Sequence, residues 1–265
     1  MKIGIVGCGG RMGRMLVGAV LEAEGCAVAG GTERPGSDAV GRDLGELIGR
    51  GTLECTVGDD PKLLFEASDV VIDFTSPAAT LLHAGLAAET HTALVVGTTG
   101  LGPEDEAELK AAADRTAIVY APNYSVGINL LLALTERAAA ILGDDYDIDI
   151  LEMHHHHKVD SPSGTALGLG RAAANGRKVA LDAVWRKSRD GLIGPRPRGE
   201  IGFATLRGGD VVGDHTVIFA ADGERLELGH KASNRAVFAK GAVRAALWTH
   251  GKGPGLYAMR DVLGL

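Results

Sequence analysis

The N-terminal run KIGIVGCGGRMGR (2–14) limits the folds open to this chain. A β-branched stretch ends in glycine, glycines crowd one junction, and a helical pattern runs from about Met12 to Glu24. A strand, a tight turn and a helix start in that order form the first unit of a doubly wound sheet. The turn brings backbone N–H groups and the helix dipole to bear on a pyrophosphate. Gly7, Gly9, Gly10 and Gly13 stand there as G-x-G-G-x-x-G, with Met12 where the strict G-x-G-x-x-G puts its third glycine. Twenty residues beyond Gly13, Glu33 closes a second strand pattern (26–33), where an acid binds the adenine ribose hydroxyls. Arg34 follows it and suits the 2′-phosphate of NADPH, so both NADH and NADPH are expected to bind.

Strand and helix then alternate. Residues 34–60 read as loop with a short helix. DVVIDF (69–74), TALVVG (92–97) and AIVYAP (117–122) read as buried strands, and 77–89 and 102–115 as helices. That alternation predicts a parallel sheet. The loops GTTG (97–100) and APNYS (121–125) end two strands on the ligand side, where Thr98, Thr99 and Asn123 offer polar contacts.

The pattern changes near residue 125. A long apolar helix is expected over 126–142, an alternating strand over 146–154 and a helix near 164–175. Three strand runs follow (200–207, 211–220, 224–230), joined by the turn signals GGD and ADG, and a final helix spans 233–248. The fold class is therefore α/β: a Rossmann-type doubly wound parallel sheet with a second mixed α/β domain. The last helix is free to return to the first domain.

Composition excludes several functions. A net charge of −7 without a basic run argues against nucleic acid as a partner. No apolar run reaches the ~18–20 residues that cross a bilayer, so no membrane is expected. No secretory leader pattern is seen, and three cysteines without metal-ligand spacing fit a reduced, cytoplasmic setting. The 39 glycines imply tight turns and close backbone approaches.

The most unusual stretch is EMHHHHKVDSPSGTAL (152–167). A purification tag sits at a terminus, whereas this run grows out of an amphipathic strand. A metal site needs ligands on one face, and consecutive strand residues point to opposite faces. No metal site is expected. An acid/base and anion-binding site fits better. Histidine donates a proton near neutral pH, Lys158 adds positive charge, and Ser163, Gly164 and Thr165 stand at a helix start. His156 and His157 read as surface or packing residues.

These motifs resemble the 4-hydroxy-tetrahydrodipicolinate reductase (dihydrodipicolinate reductase) family. The likeness is carried by GCGGRMGR (7–14), ER (33–34), DFTSP (73–77), GTTG (97–100), NYSVGIN (123–129) and the His-rich segment. GEIGFATLRGGDVVGDHTV (199–217) and ERLELGHKASNRAVFAKGAVRAALW (224–248) extend it over nearly the whole chain. The resemblance implies that His154 is the general acid and Lys158 its catalytic partner. It implies that His155, Ser163, Gly164 and Thr165 hold the carboxylates of a small dicarboxylate. It places the cofactor on Gly7, Cys8, Gly9, Gly10, Arg11, Met12, Glu33, Arg34, Gly97, Thr98, Thr99, Ala121, Pro122, Asn123 and Tyr124. The domains it implies are 1–125 for the dinucleotide, with helix 235–265 returning to it, and 126–234 for substrate and for assembly into a homotetramer. The stretch 175–198 departs from the family pattern in being short and rich in Arg and Gly, and no site is assigned there. Two other readings stand beside this one: a different Rossmann reductase of a small acid, and a non-catalytic NAD(P)H sensor.

Overall fold

The computed structural model describes residues 1–265. Two compact units divide the chain, Met1–Val126 with Ala236–Gly264, and Gly127–Arg235 with Leu265. Along the chain the elements are β1 (Lys2–Val6), α1 (Arg11–Glu22), β2 (Ala27–Thr32), α2 (Leu44–Leu47), α3 (Pro61–Ala67), β3 (Val70–Asp73), α4 (Pro77–Thr90), β4 (Ala93–Val96), α5 (Pro103–Ala113) and β5 (Ala117–Tyr120). Then come α6 (Val126–Leu142), β6 (Asp147–His154), α7 (Gly164–Gly176), α8 (Leu181–Val184), β7 (Trp185–Arg186), β8 (Ile201–Arg207), β9 (Gly213–Ala221) and β10 (Glu224–Ala232). The chain ends with α9 (Ala236–Trp248), β11 (Gly255–Tyr257) and α10 (Met259–Leu263).

The first unit is a six-stranded sheet in the order β11-β5-β4-β3-β1-β2, every pair parallel. Successive strand residues feed opposite cores. Ile3, Ile5, Val70, Ile72, Val95 and Val119 pack on the α1/α9 side. Val6, Val71, Leu94, Val96 and Ile118 pack on the α3/α4/α5 side. Each fully buried Val, Leu or Ile contributes about 1.5–3 kcal/mol, so the two layers hold the sheet from both faces. Pro opens α3, α4 and α5 at the first turn, and Asp105 reaches back to the Gly102 N–H at the start of α5.

The second unit carries a mixed five-stranded sheet, β10-β9-β6-β8-β7. β6 runs antiparallel to β9 and parallel to β8. Ile148, Ile150, Val217 and Phe219 point into one core with Leu169 and Ala173 of α7 and Ile128 and Leu131 of α6. Against the expectation from sequence, α6 together with the turn after it (Val126–Asp145) is long and apolar enough to cross a bilayer, yet Ile128, Leu131 and Ala139 join that core, and Glu136 and Arg137 interrupt its apolar run.

Boundaries expected from sequence lie within a few residues of the observed ones, and α6 matches at both ends. Seven-residue α3, three-residue β11 and short α8, β7 and α10 were not anticipated. The Arg-rich stretch has a structural task. Arg189 bridges Asp149 and Glu200 at 2.8 Å each. Arg196 pairs with Asp149 and donates to Ile148 O at 2.7 Å. Arg177 donates to Gly143 O at 2.7 Å.

Candidate active site

In the first unit the glycine loop is shaped by contact. Gly7 takes φ +66, and a Cβ there would sit 2.8 Å from Thr75 Cγ2. Gly13 lets α1 lie against the loop, since a Cβ would come within 2.1 Å of Gly7 O. Gly10 caps α1 without any side-chain hydrogen bond, leaving the helix start to a ligand's oxygens. Glu33 Oε1 accepts from Gly9 N at 3.0 Å, which brings the acid from the end of β2 to the loop. Cys8 contributes backbone only. Its side chain is fully buried, and burial, then the Glu33 charge, push its thiol up to about 12. Arg11 is exposed, and Met12 leans on the core.

Two clefts flank the loop. One, of ≈ 530 Å³, is lined by Gly7, Glu33, Pro35, Ala79, Leu82 and His83, an apolar slot with polar ends. The other, of ≈ 370 Å³, is lined by Gly9, Glu33 and the three arginines Arg14, Arg34 and Arg42. An apolar slot beside an anion-binding turn fits an adenine dinucleotide, and the arginine set fits an added phosphate. Arg14 and Arg42 were not singled out from sequence. Arg14 directly follows Gly13 at the end of the glycine motif, whereas Arg42 carries no pattern.

The loops after β3 and β4 are tied together. Asp73 is fully buried and sits 2.8 Å from His83 Nδ1. Its other oxygen accepts from Thr75 N and Thr75 Oγ at 2.9 and 2.6 Å. Thr98 Oγ accepts from Thr75 N at 3.0 Å and from Thr80 Oγ at 2.7 Å. Thr98 therefore turns inward, whereas Thr99 is exposed. Gly97 makes room for the Phe74 ring, which would lie 2.2 Å from a Cβ. Tyr124 is also inward: its hydroxyl lies 2.9 Å from Val96 O and 2.8 Å from Val119 O, and burial raises its pKa well above the ordinary value. Ala121 is buried, Pro122 is exposed, and Asn123 Oδ1 accepts from Ser125 N at 2.8 Å.

In the second unit the His-rich segment leaves the end of β6 toward α7. Residues 152 and 154 share one face of the strand. Glu152 Oε2 lies 2.6 Å from His154 Nδ1, and both are buried. Arg207 at the end of β8 clamps the same carboxylate at 2.8 and 2.9 Å, and Ser163 N donates to it at 3.0 Å. Burial opposes ionisation of Glu152, yet the bonds from His154, Arg207 and Ser163 N hold its carboxyl down at about 2. Ser163 caps α7, accepting from Ala166 N at 3.1 Å, and its Oγ lies 3.0 Å from His215 Nε2. Gly164 is exposed, with nothing within 4 Å of its Cβ position, and Thr165 is half-buried at the helix start. Lys158 Nζ pairs with Asp160 at 2.7 Å.

The four histidines part company. His154 is buried; His156 and His157 are exposed, with His156 Nδ1 2.9 Å from Gly209 O. His155 Nδ1 is buried without a partner; burial, then the Arg235 cation, push its pKa below the ordinary value. No three of His, Cys, Asp and Glu converge as metal ligands. The structure adds Glu152, Arg207 and His215 to the expected site residues. Glu152 was visible as a strand neighbour of His154, whereas Arg207 and His215 come from β8 and β9, which sequence did not place beside it.

A Rossmann-type unit with a phosphate-binding turn, joined in one chain to a unit bearing a buried acid–histidine pair at a helix start, defines a dinucleotide-dependent reductase class. The family profile described as Dihydrodipicolinate reductase, N-terminus matches residues 1–124, and that described as Dihydrodipicolinate reductase, C-terminus matches 127–263. The chain belongs to the dihydrodipicolinate reductase family. It is 55% identical to the 4-hydroxy-tetrahydrodipicolinate reductase of Dinoroseobacter shibae over 98% of this chain and 97% of the relative. It is 54% identical to the protein of that name from Brucella abortus (strain 2308), over 100% of this chain and 99% of the relative. The dipicolinate-bound dihydrodipicolinate reductase of Paenisporosarcina sp. TG-14 shares the fold, with TM-score 0.78, 24% identity and 98% of each chain covered.

Proposed function

We propose that this chain reduces 4-hydroxy-tetrahydrodipicolinate to tetrahydrodipicolinate in the diaminopimelate route to lysine. Substrate, NAD(P)H and a proton become product, NAD(P)⁺ and water. The observation that carries the reading is the buried Glu152–His154 pair joined to the Ser163-capped start of α7. NADH or NADPH, when bound, supplies the hydride. Gly7, Cys8, Gly9, Gly10, Arg11 and Met12 hold it through the loop and the α1 start, and Glu33 and Arg34 take its adenosine end. Gly97, Thr98, Thr99, Ala121, Pro122, Asn123 and Tyr124 form its far wall, with the Thr98 and Tyr124 side chains bracing that wall from within.

His154 is the proton donor and Lys158 its partner. His155, Ser163, Gly164 and Thr165 receive the two carboxylates. The helix start and the Lys158 ammonium offset the dianion's charge. The half-exposed face of the second sheet, with Leu151, Met153 and Ile218, carries the contacts of a homotetramer, and the enzyme works in the cytoplasm without nucleic acid or membrane partners.

The test is consumption of NADPH and of NADH when the product of dihydrodipicolinate synthase is supplied. Turnover with that compound, and none with aspartate semialdehyde, is expected. Binding of NADPH without turnover would leave a sensor, and turnover of another small acid would leave a different reductase.

A further inference from the structure

We infer that Glu152, clamped by Arg207, is a positioning residue that fixes the tautomer of His154 and makes Nε2 its proton-transfer atom. The inference rests on the reading of His154 as proton donor.

All the acceptor capacity of the Glu152 carboxylate is committed. Oε1 receives Ser163 N at 3.0 Å and Arg207 Nη2 at 2.9 Å. Oε2 receives Arg207 Nη1 at 2.8 Å and faces His154 Nδ1 at 2.6 Å. A backbone N–H and a guanidinium can only donate, so the carboxylate is an anion acting purely as acceptor. His154 must then present Nδ1–H to it. The same carboxylate cannot serve as the proton acceptor in turnover, because its lone pairs are already occupied and Arg207 stabilises its charge.

The opposite ring nitrogen has room. Gly213 lies beside Nε2, and a Cβ there would stand 3.0 Å from it. The His215 ring meets that of His154 edge-on, 5.0 Å between centroids at 74°, and limits its rotation. Glu152 on its own strand and His215 on β9 meet the ring, Arg207 on β8 clamps Glu152, and His155 follows in the chain. In turnover the Nε2–H bond of the imidazolium breaks and the substrate takes the proton. The ring is left neutral with Nδ1–H still on Glu152, and solvent returns a proton to Nε2. This is the division of labour of an acid–histidine pair, where the acid orients and is not itself protonated.

Glu152→Gln separates positioning from mere packing. Its carbonyl oxygen would keep Ser163 N and one Arg207 donor. Its amide N–H would face His154 Nδ1 and drive the proton to Nε2. The experiment combines kinetics with ¹⁵N-histidine solid-state NMR on the full-length protein, the His154 signal being assigned by its loss in His154→Gln. Expected are an Nδ1–H tautomer in the unaltered protein at high pH and an Nε2–H tautomer in Glu152→Gln. In that variant kcat should fall about 10²- to 10⁴-fold, with KM within about threefold. Glu152→Asp should restore the Nδ1–H tautomer and part of kcat. An Nε2–H tautomer in the unaltered protein would overturn the inference whether or not the variants fold. So would near-normal kcat in folded Glu152→Gln while His154→Gln is inactive. Near-normal kcat in His154→Gln overturns the proton-donor reading itself.

Discussion

Ser163 Oγ stands 3.0 Å from Nε2 of His215, a residue 52 positions away in sequence. The contact joins the cap of α7 to the buried face of β9, so the helix start proposed above to receive the carboxylates is anchored by a neutral imidazole. Burial, then the nearby His154 ring, hold His215 down at about 4. A charged ring there would need to shed water that the fold does not replace.

Stability should therefore depend on pH in a defined window. His215 has a folded pKa of about 4 against an ordinary 6.5, so its contribution is complete above 6.5 and is lost as pH falls toward 4. The loss is roughly 3 kcal/mol, from about 1.4 kcal/mol per pKa unit. Glu152, at about 2 against an ordinary 4.5, adds a second loss of similar size as pH falls from 4.5 toward 2. Urea unfolding across pH 2–8 checks both windows. His215→Gln should flatten the curve between 6.5 and 4, and an unchanged slope would show that another group titrates there.

How much of this was legible depends on the range of the interaction. The Gly7–Gly13 turn, Glu33 and the α7 cap at Ser163 are local signals, set by neighbours in sequence. The Glu152–His154 contact was also legible, because residues two apart on a strand share a face. Arg207 and His215 were not, since their approach depends on β8 and β9 flanking β6. The same holds for Thr98 and Tyr124. Each looks like a loop residue offered to ligand, and each turns inward to partners distant in sequence: Thr75 in the loop after β3 and Thr80 of α4 for Thr98, and carbonyls of β4 and β5 for Tyr124.

Within the His-rich run, position alone should decide effect. His154→Gln should lower kcat by about 10² to 10⁴ with much smaller change in KM, as loss of a proton donor requires. Lys158→Ala should harm both, because it removes a charge near a dianion as well as a catalytic partner. His157→Gln should be nearly silent, its ring being exposed. Steady-state kinetics with folding checked by circular dichroism would reveal a wrong register if the roles of 154 and 157 were reversed.

Cofactor choice should be shallow. Glu33 favours free ribose hydroxyls, whereas Arg34 and Arg42 line the adjoining cleft and suit a phosphate. NADH and NADPH should differ by no more than about 1.4 kcal/mol, or tenfold, in kcat/KM. Arg34→Ala should weaken NADPH more than NADH. Arg34→Ala/Arg42→Ala should widen the gap further. Equal losses for the two cofactors would show that these arginines do not read the 2′-phosphate.

Activity should not depend on metal. Only His154 of the run lies on β6 and it is already committed to Glu152, the other three histidines follow in the loop, and no three of His, Cys, Asp and Glu converge as ligands. Exhaustive chelation should leave kcat unchanged. Stoichiometric zinc in protein purified without a nickel column, with activity lost on its removal, would refute this.

The last prediction concerns Gly213. Its backbone carries no positive φ, so alanine is allowed conformationally, and only the space is at issue. An added methyl would lie 3.0 Å from His154 Nε2, 3.4 Å from its Cδ2 and 3.5 Å from His215 Cε1. These rings cannot yield freely, since Glu152 holds one and Ser163 the other. The methyl would therefore both crowd Nε2 and tilt the ring that delivers the proton. Displacement of a reacting group by a fraction of an ångström to 1 Å costs up to about 10²-fold in rate. Gly213→Ala should thus lower kcat by roughly 10- to 100-fold while destabilising the fold by about 1–3 kcal/mol, the usual cost of overpacking. Kinetics beside urea unfolding separate the two effects. A stable variant with unaltered kcat would mean that the proton does not leave from the Nε2 side.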